Sequence, residues 1–316
     1  MPGPSVLTAA ERAASDLALG RLAGYWPGYW IGCDVPRTMA DVRSRFESAA
    51  QAWKLRKIEP LGGGGVALVC AATQAGRPVI VKVNPRVPGG EGLRAEGRAL
   101  RFWQSTGAVA HVLDLRDDEY TLLLARIRPG DRLEDARLPV EQMLTELGRL
   151  AAALHATPPP PESFPPLARS NTARHWRWAL AGDPLEGELD RRLSDGGTEA
   201  LLHGDLHGRN ALRDGDTWKI IDPHALLGDR HAEIQPLLEA SLALPASSRD
   251  DAELVGGWVR TYAHAAGMQA RRAAAWTRVI ARARALGSAS RAHQSPEDAA
   301  WASGLHRLAE GLGTLA

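Results

Sequence analysis

This 316-residue sequence predicts an α+β fold, with a β-rich part first and a mostly helical part after it. Three observations lead there. Short aliphatic and β-branched runs, punctuated by turn signals, fill residues 55–126. Beyond Pro129-Gly130 the apolar residues switch to spacings of three and four, the helical period. Residues 200–222 then interrupt the helical half with short apolar runs that end in polar groups.

The first fifty residues read as helical. Thr8 with Glu11 makes a capping-box signature, and Thr38 with Asp41 repeats its logic with a shorter acid. Between them, Gly24-Tyr25-Trp26-Pro27-Gly28-Tyr29-Trp30 is an aromatic turn expected to close a small core. Strands are expected over residues 66–72 and 78–83, joined by the hairpin signal Gln74-Ala75-Gly76-Arg77. A helix over residues 92–104 and strands at about 109–115 and 120–126 complete a five-stranded lobe with one inserted helix. Residues 140–156 form an amphipathic helix, with Leu144, Leu147, Leu150 and Leu154 on one face. The proline run 158–161 reads as a loop within the second lobe. Three helices close the chain, at about 251–266, 269–286 and from Ser295, where Ser is the N-cap, Pro296 the first helical residue, and Glu297 and Asp298 the first-turn acids. The expected organisation is a helical segment 1–52, a β-rich lobe 53–128 and a helical lobe 129–316.

Composition excludes several classes. Hydrophobic residues at 44% and charged residues at 24% describe a chain that buries a core, not a disordered or collagenous one. Thirty-eight basic against 37 acidic side chains leave a formal charge of +1, no basis for nucleic-acid or membrane-surface binding. Cys33 and Cys70 are too few and too isolated for a disulfide framework or a cysteine-based zinc site. Met1-Pro2-Gly3-Pro4 lacks the basic start of a signal peptide, and no run approaches the length of a membrane span. A cytoplasmic protein, monomeric and without a protein partner, is expected. Lys54, Lys57, Lys82 and Lys219 are the only lysines, so a lysine inside a strand-like run stands out.

The segment Leu202-His203-Gly204-Asp205-Leu206-His207-Gly208-Arg209-Asn210, followed by Ile220-Ile221-Asp222-Pro223, carries the strongest chemical signal. Phosphoryl transfer by kinases uses an Asp facing the acceptor hydroxyl, an Asn five residues later, and an Asp on a following strand. Asp205, Asn210 and Asp222 occupy those places. Magnesium on ATP phosphates requires hard oxygen ligands, which Asn210 and Asp222 supply. Asp205 is then the group for the acceptor hydroxyl. His203 and His207 suggest a metal pair, but Gly204 stands where a helical zinc motif needs glutamate, and His203 reads instead as a brace under the loop.

Lys82, in the strand Val79-Ile80-Val81-Lys82-Val83, suits a phosphate-neutralising role if a carboxylate holds it. Glu96 on the next helix is the expected partner, with Glu91 second. The glycine run 62–65, including Gly63 and Gly64, matches neither the P-loop nor the dinucleotide-binding pattern. As a glycine-rich hairpin it could bring backbone N–H groups to a phosphate, or be a flexible turn.

These residues resemble the aminoglycoside/hydroxyurea phosphotransferases, and within them the streptomycin 6-phosphotransferase type. The resemblance runs from about Trp53 to about Arg284 and includes Trp53-Lys54-Leu55, Val81-Lys82-Val83, Arg98-Ala99-Leu100-Arg101-Phe102-Trp103, Leu122-Leu123-Leu124-Ala125-Arg126, Leu154-His155-Ala156-Thr157-Pro158, the 203–210 loop, and Ile221-Asp222-Pro223 with Gly228-Asp229. It implies a protein-kinase-like bilobal fold, ATP or GTP with magnesium, and transfer of the γ-phosphate to a hydroxyl of a small molecule. It also implies Asp205 as the catalytic or acceptor-orienting group, Asn210 and Asp222 as magnesium ligands, Lys82 with Glu96 on the phosphates, and the backbone from Ala125 to Ile127 as the adenine hinge. Asp229 would brace the catalytic loop. The family often places an acid and leucine after the Gly-Asp pair; here the chain reads His231-Ala232-Glu233-Ile234, and if Glu233 replaces that acid, the local bracing or acceptor contacts have changed.

A streptomycin-like acceptor is polycationic and needs inward-facing carboxylates. Glu233, Glu239, Asp250, Asp251 and Glu253, with Asp183, Glu186 and Glu188, are the candidates, while Arg271, Arg272, Arg278, Arg282 and Arg284 run against them. Trp176, Trp178, Trp258 and Trp276 could pack on a sugar ring, although core positions are expected for most. Hydroxyurea or another hydroxylated metabolite is the alternative acceptor, and a nucleotide-binding pseudokinase is the alternative class.

Overall fold

Asp34 starts the first described helix, α1 (Val35–Ala52): its side chain accepts the Arg37 N–H at 3.1 Å, and a proline sits in the first turn. Thr38, expected as the cap, lies one turn inside, with its hydroxyl bonded to the Asp34 carbonyl at 2.8 Å. An aspartate followed by Val35-Pro36 satisfies the first orphan amides four residues earlier than threonine could. The computed structural model describes residue 8 and residues 34–61, 67–86, 91–116, 120–158, 164–195, 199–244, 251–289 and 296–313. Glu11, the aromatic turn 24–30, Cys33, Gly63, Gly64 and Ser295 lie outside the described residues. The chain divides into two units, Met1–Gln104 with Val109–Ile127, and Ser105–Ala108 with Arg128–Ala316.

In the first unit, strands β1 (Arg56–Pro60), β2 (Leu68–Gln74), β3 (Arg77–Val83), β4 (Val112–Arg116) and β5 (Thr121–Ala125) form one antiparallel sheet in the order β1-β2-β3-β5-β4. The β2–β3 hairpin closes on Ala75 and Gly76, both at positive φ (46° and 80°), the turn whose twist matches that of its strands. Strand alternation places Val79, Val81 and Val83 in a core with Val42, Phe46, Ala49 and Ala50 of α1. It turns Lys82 to the opposite face, where Leu122 is its cross-strand neighbour. Helix α2 (Glu91–Trp103) packs on that face through Gly97, where a β-carbon would collide with Leu122 and Leu115. The missing side chain is what lets Glu96, the adjacent residue, come down to Lys82.

The second unit contains two small sheets, β6 (Pro129–Arg132), β8 (Ala211–Asp214) and β9 (Thr217–Ile220) in the order β6-β8-β9, and β10 (Leu226–Asp229) beside β7 (Glu199–Leu202). Around them lie α3 (Val140–His155), α4 (Asn171–Ala179), α5 (Glu186–Ser194), α6 (Gln235–Ala240), α7 (Asp251–Ala265), α8 (Ala270–Ala289) and α9 (Pro296–Gly313). Helix α3 buries Leu144, Leu147, Leu150 and Leu154, the face its periodicity predicts. The α+β expectation holds. Helices α4 and α5 have no clear sequence signal, because α4 buries only Ala173 and Trp176 and α5 only Leu189. Among the described residues, no helix is long and apolar enough to cross a membrane.

Replacing Gly97 with valine should cost ~1–3 kcal/mol of stability by overpacking α2 against the sheet. Denaturant titration of purified Gly97→Val against wild type checks this; an unchanged midpoint would refute the close contact.

Candidate active site

The loop after β7 is built on Gly204, whose φ of +78° is a conformation L side chains rarely adopt and whose missing side chain faces His224 at 3.2 Å. His203, fully buried, ties the loop to the strand end that bears Asp222. Its Nε2 lies 2.9 Å from the Ile221 carbonyl, and its Nδ1 accepts the Asp205 N–H at 3.2 Å. Nε2 therefore carries the proton. Burial lowers the His203 pKa to about 4, so the ring stays neutral and keeps that tautomer. The expected bracing role is what the geometry shows. A second link runs from the Ile221 N–H to the Asn210 carbonyl at 2.9 Å.

These links bring Asp205 and Asn210 together, with Asn210 Nδ2 at 3.3 Å from Asp205 Oδ2 and 3.0 Å from the Asp205 carbonyl. His207 Nε2 lies 3.3 Å from the same carboxylate oxygen. Burial acts to raise the Asp205 pKa, but the His207 hydrogen bond and the charges of His224, His207 and His203 outweigh it and hold the carboxyl well below its ordinary range. Asp205 is thus a carboxylate at neutral pH, with 29% of its side chain exposed. Asp222 is exposed and sits at φ 64°, in the left-handed region that aspartate tolerates better than most residues. The turn to Pro223 accounts for its separation from the strand ladder.

The brace under this loop is Glu233. Buried to 1% exposure, it accepts the His203 N–H at 2.5 Å and the Gly204 N–H at 3.1 Å, while its carbonyl accepts the Tyr262 hydroxyl at 2.5 Å. Asp229, expected to do this, does something else. It accepts from His231 Nδ1 (2.7 Å), Arg272 Nε (2.6 Å) and Trp276 Nε1 (2.7 Å), tying the turn 230–232 to α8. The longer Glu233 side chain reaches the loop amides, which leaves Asp229 to the helix.

In the first unit, Lys82 Nζ lies 2.9 Å from Glu96 Oε1, and Asn84 Nδ2 lies 2.9 Å from Glu96 Oε2. All three residues are buried. Asn84 belongs to no motif; only the fold shows that it fixes the second oxygen of Glu96. The Glu91 side chain lies outside what is described. In the hinge segment, the Ala125 N–H goes to the His111 carbonyl (2.9 Å) and the Arg126 N–H to that of Pro78 (3.3 Å). The Ile127 N–H makes no hydrogen bond among the described residues.

The acceptor-side acids are mostly committed. Asp183 pairs with Arg282 (2.9 Å), Glu186 caps the Gly182 N–H (2.9 Å), and Glu188 holds Arg192 (2.6 Å). Glu253 is exposed, and the Asp250 and Asp251 side chains lie outside the described residues. Glu239 joins the loop through Arg209 at 3.1 Å, with Gln235 bonded to the same oxygen at 3.0 Å, whereas Glu233 is committed to the loop amides. Trp176, Trp258 and Trp276 are core residues, whereas Trp178 is 60% exposed.

Comparison with known proteins places this geometry. A family profile described as aminoglycoside/hydroxyurea antibiotic resistance kinase matches residues 52–295. The chain belongs to that family. Among curated proteins it is 27% identical over 246 residues to a streptomycin 6-kinase of Streptomyces griseus, covering 71% of this chain and 76% of that one. It is 32% identical over 192 residues to a streptomycin 3''-kinase of Klebsiella pneumoniae, covering 56% and 66%. Among solved structures, the choline kinase LicA of Streptococcus pneumoniae aligns with a TM-score of 0.57 at 14% identity, over 86% of this chain and 98% of that chain. An aminoglycoside phosphotransferase in a ternary complex with ADP and hygromycin B aligns with a TM-score of 0.55 at 18% identity, over 85% and 98%. The protein-kinase-like fold and phosphotransferase class expected from the motifs are those of this antibiotic resistance kinase family.

In this family member, buried Glu233 couples stability to pH. Burial raises its pKa to about 7 against the pull of the two backbone N–H bonds. The folded chain therefore holds a proton that the unfolded chain releases from about 4.5 upward, and the stability tied to Glu233 declines as pH rises from about 4.5 to about 7. Buried neutral His203 and His155 act oppositely: their contribution is lost as pH falls below 6.5, toward about 4 and about 3 respectively. Comparison with Glu233→Gln isolates the glutamate. Between about pH 5 and about pH 8 the variant should gain roughly 3 kcal/mol on wild type. Denaturant titrations at both pH values test it, and a constant difference would show that Glu233 titrates normally.

Proposed function

We propose that this protein is an ATP-dependent kinase that transfers the γ-phosphate to a hydroxyl of an aminoglycoside-type, streptomycin-like antibiotic. The observation that supports this most is the Asp205–Asn210 pair, held on a neutral His203 brace one hydrogen bond away from the strand end that carries Asp222. The two streptomycin kinases among the relatives favour the acceptor class.

Asn210 and Asp222 offer an amide and a carboxylate oxygen, the hard donors magnesium takes. Among the described residues no three or more His, Cys, Asp or Glu side chains converge. That suits a cation held by one or two side chains and otherwise by phosphates and water. When bound, magnesium neutralises the charge of the phosphates. Lys82, fixed by Glu96, is the first unit's contribution to phosphate binding; the glycine run with Gly63 and Gly64 is assigned the same task. The Ile127 N–H and the Ala125 carbonyl are assigned to the base, with GTP the alternative nucleotide.

Asp205 orients the acceptor hydroxyl and takes its proton. A carboxyl held well below its ordinary pKa is a weak base for an unreacted alcohol. Phosphoryl transfer through a loose transition state needs little proton removal before the bond to phosphorus breaks, so orientation is the larger part of its work. The proton passes to Asp205 as the new P–O bond forms.

Asp205→Ala should lower turnover by ~10²–10⁴-fold while nucleotide binding and fold persist. Asp222→Ala should weaken magnesium-nucleotide binding as well. The decisive assay is mass spectrometry of streptomycin, other aminoglycosides, hydroxyurea and simple sugars incubated with protein, magnesium and ATP. A phosphate-sized gain on streptomycin that Asp205→Ala abolishes is the expected result. Gain on hydroxyurea or a sugar alone would move the acceptor, and nucleotide binding without any gain would favour a pseudokinase.

A further inference from the structure

The arginines of α8 are mostly neutralised. Arg272 bonds Asp229 at 2.6 Å, Arg282 bonds Asp183 at 2.9 Å, and Arg278 reaches Glu188 at 4.0 Å. Arg284 differs from these three. Among the described residues its guanidinium makes no hydrogen bond and no ion pair, and its contact is with the face of Trp301, 5.8 Å from the ring centroid. Beside it, the Trp301 indole N–H is buried without an acceptor among the described residues.

Arg284 is partly buried and lines a small cavity with Gly204 of the catalytic loop, Glu233, Gln235, Thr172 and Trp176. The carboxylates of Asp205 and Glu239 lie close enough to act on its charge, against the burial that lowers its pKa. An arginine stays charged under such a shift, and its five N–H donors form a planar fork suited to pairs of oxygens. Donors left without partners in a partly desolvated site are costly, so the fold tolerates here a group whose acceptors come from outside the chain. Of the other donors around the loop, His203 has Ile221 and Arg209 has Glu239, while His207 Nδ1 is buried with no hydrogen-bond partner among the described residues.

We propose that Arg284 is a specificity-determining residue of the acceptor site, donating to oxygen atoms of the acceptor beside the hydroxyl that faces Asp205 and disfavouring an ammonium or guanidinium at that position. The acceptor class this selects is a polyhydroxylated ring with an oxygen-bearing edge next to the phosphorylated hydroxyl. Any cationic groups lie elsewhere on the molecule, with Glu239, bonded to Arg209 of the loop, a carboxylate for them. The inference rests on the assignment of Asp205 to the acceptor side.

The test uses two probes, cationic streptomycin and uncharged myo-inositol. Their dissociation constants are measured by ligand-observed NMR titration on wild type, Arg284→Gln, Arg284→Lys and Arg284→Glu, with ATP binding and thermal unfolding recorded for each. Loss of a hydrogen bond from a charged donor should weaken myo-inositol by about tenfold or more in Arg284→Gln. Arg284→Glu should shift the affinity ratio toward streptomycin further still. Arg284→Lys, which keeps the charge but not the fork, should keep the charge-dependent part of the wild-type affinity ratio and lose part of the myo-inositol affinity, and it serves as the working variant if Gln or Glu does not fold. An affinity ratio that stays the same across the series, or a wild type that binds no myo-inositol, overturns the proposal. Phosphate transfer measured in parallel separates the two readings. A shifted ratio without transfer by wild type sinks the kinase assignment and leaves the acceptor site, whereas transfer with an unshifted ratio sinks only the role of Arg284.

Discussion

The catalytic half of this protein hangs on one buried carboxylate. Glu233 takes the N–H groups of His203 and Gly204, the two residues that set the path of the chain into Asp205. Neither amide could be satisfied by a strand ladder, because β7 ends at Leu202 and Gly204 turns through positive φ. Tyr262 of α7 in turn anchors the Glu233 carbonyl. A helix, a turn and the loop are thereby joined through one residue that burial makes reluctant to ionise. Such a brace is stable only because its hydrogen bonds come from fixed backbone donors, which lose little entropy on binding it.

The first unit solves a related problem with an ion pair. Lys82 and Glu96 are both removed from solvent, a costly arrangement unless each remaining oxygen and proton finds a partner. Asn84 supplies one to Glu96, and Arg45 bonds the Asn84 carbonyl at 2.9 Å, extending the network to α1. Removing one member of such a buried pair typically costs more than the pair contributes, because the survivor is left charged and unsatisfied. Under the role proposed for Lys82, this pairing would hold the lysine in place for a phosphate at a reduced ordering cost.

Much of this was legible in the residues. The Asp205–Asn210–Asp222 spacing, the strand lysine with a helix glutamate behind it, and the leucine face of α3 each follow from local pattern, because each is carried by a short contiguous stretch of chain. The roles of Asp229 and Glu233 were not separable that way. Both are acids in one short turn, and only their side-chain lengths against the distances to α8 and to the loop distinguish them. Asn84 and Gly97 carry no motif, and α4 and α5 bury too few residues to impose a period.

By itself the sequence determined the succession of a β-rich and a helical part, the chemistry of the loop and the class of reaction, since hydrophobic period and residue spacing are local properties of the chain. Tertiary structure alone decided which acids are available. Among the described carboxylates that could meet a cationic acceptor, Asp183, Glu186, Glu188 and Glu233 are spent on arginines and backbone amides, and Glu239 is bonded to Arg209 of the catalytic loop. It also decided that Arg284, one of many arginines in the sequence, makes no hydrogen bond or ion pair among the described residues while the Asp205 charge acts on it. Partnership of charges depends on residues about a hundred positions apart meeting or failing to meet, as Asp183 meets Arg282, and no local pattern records that.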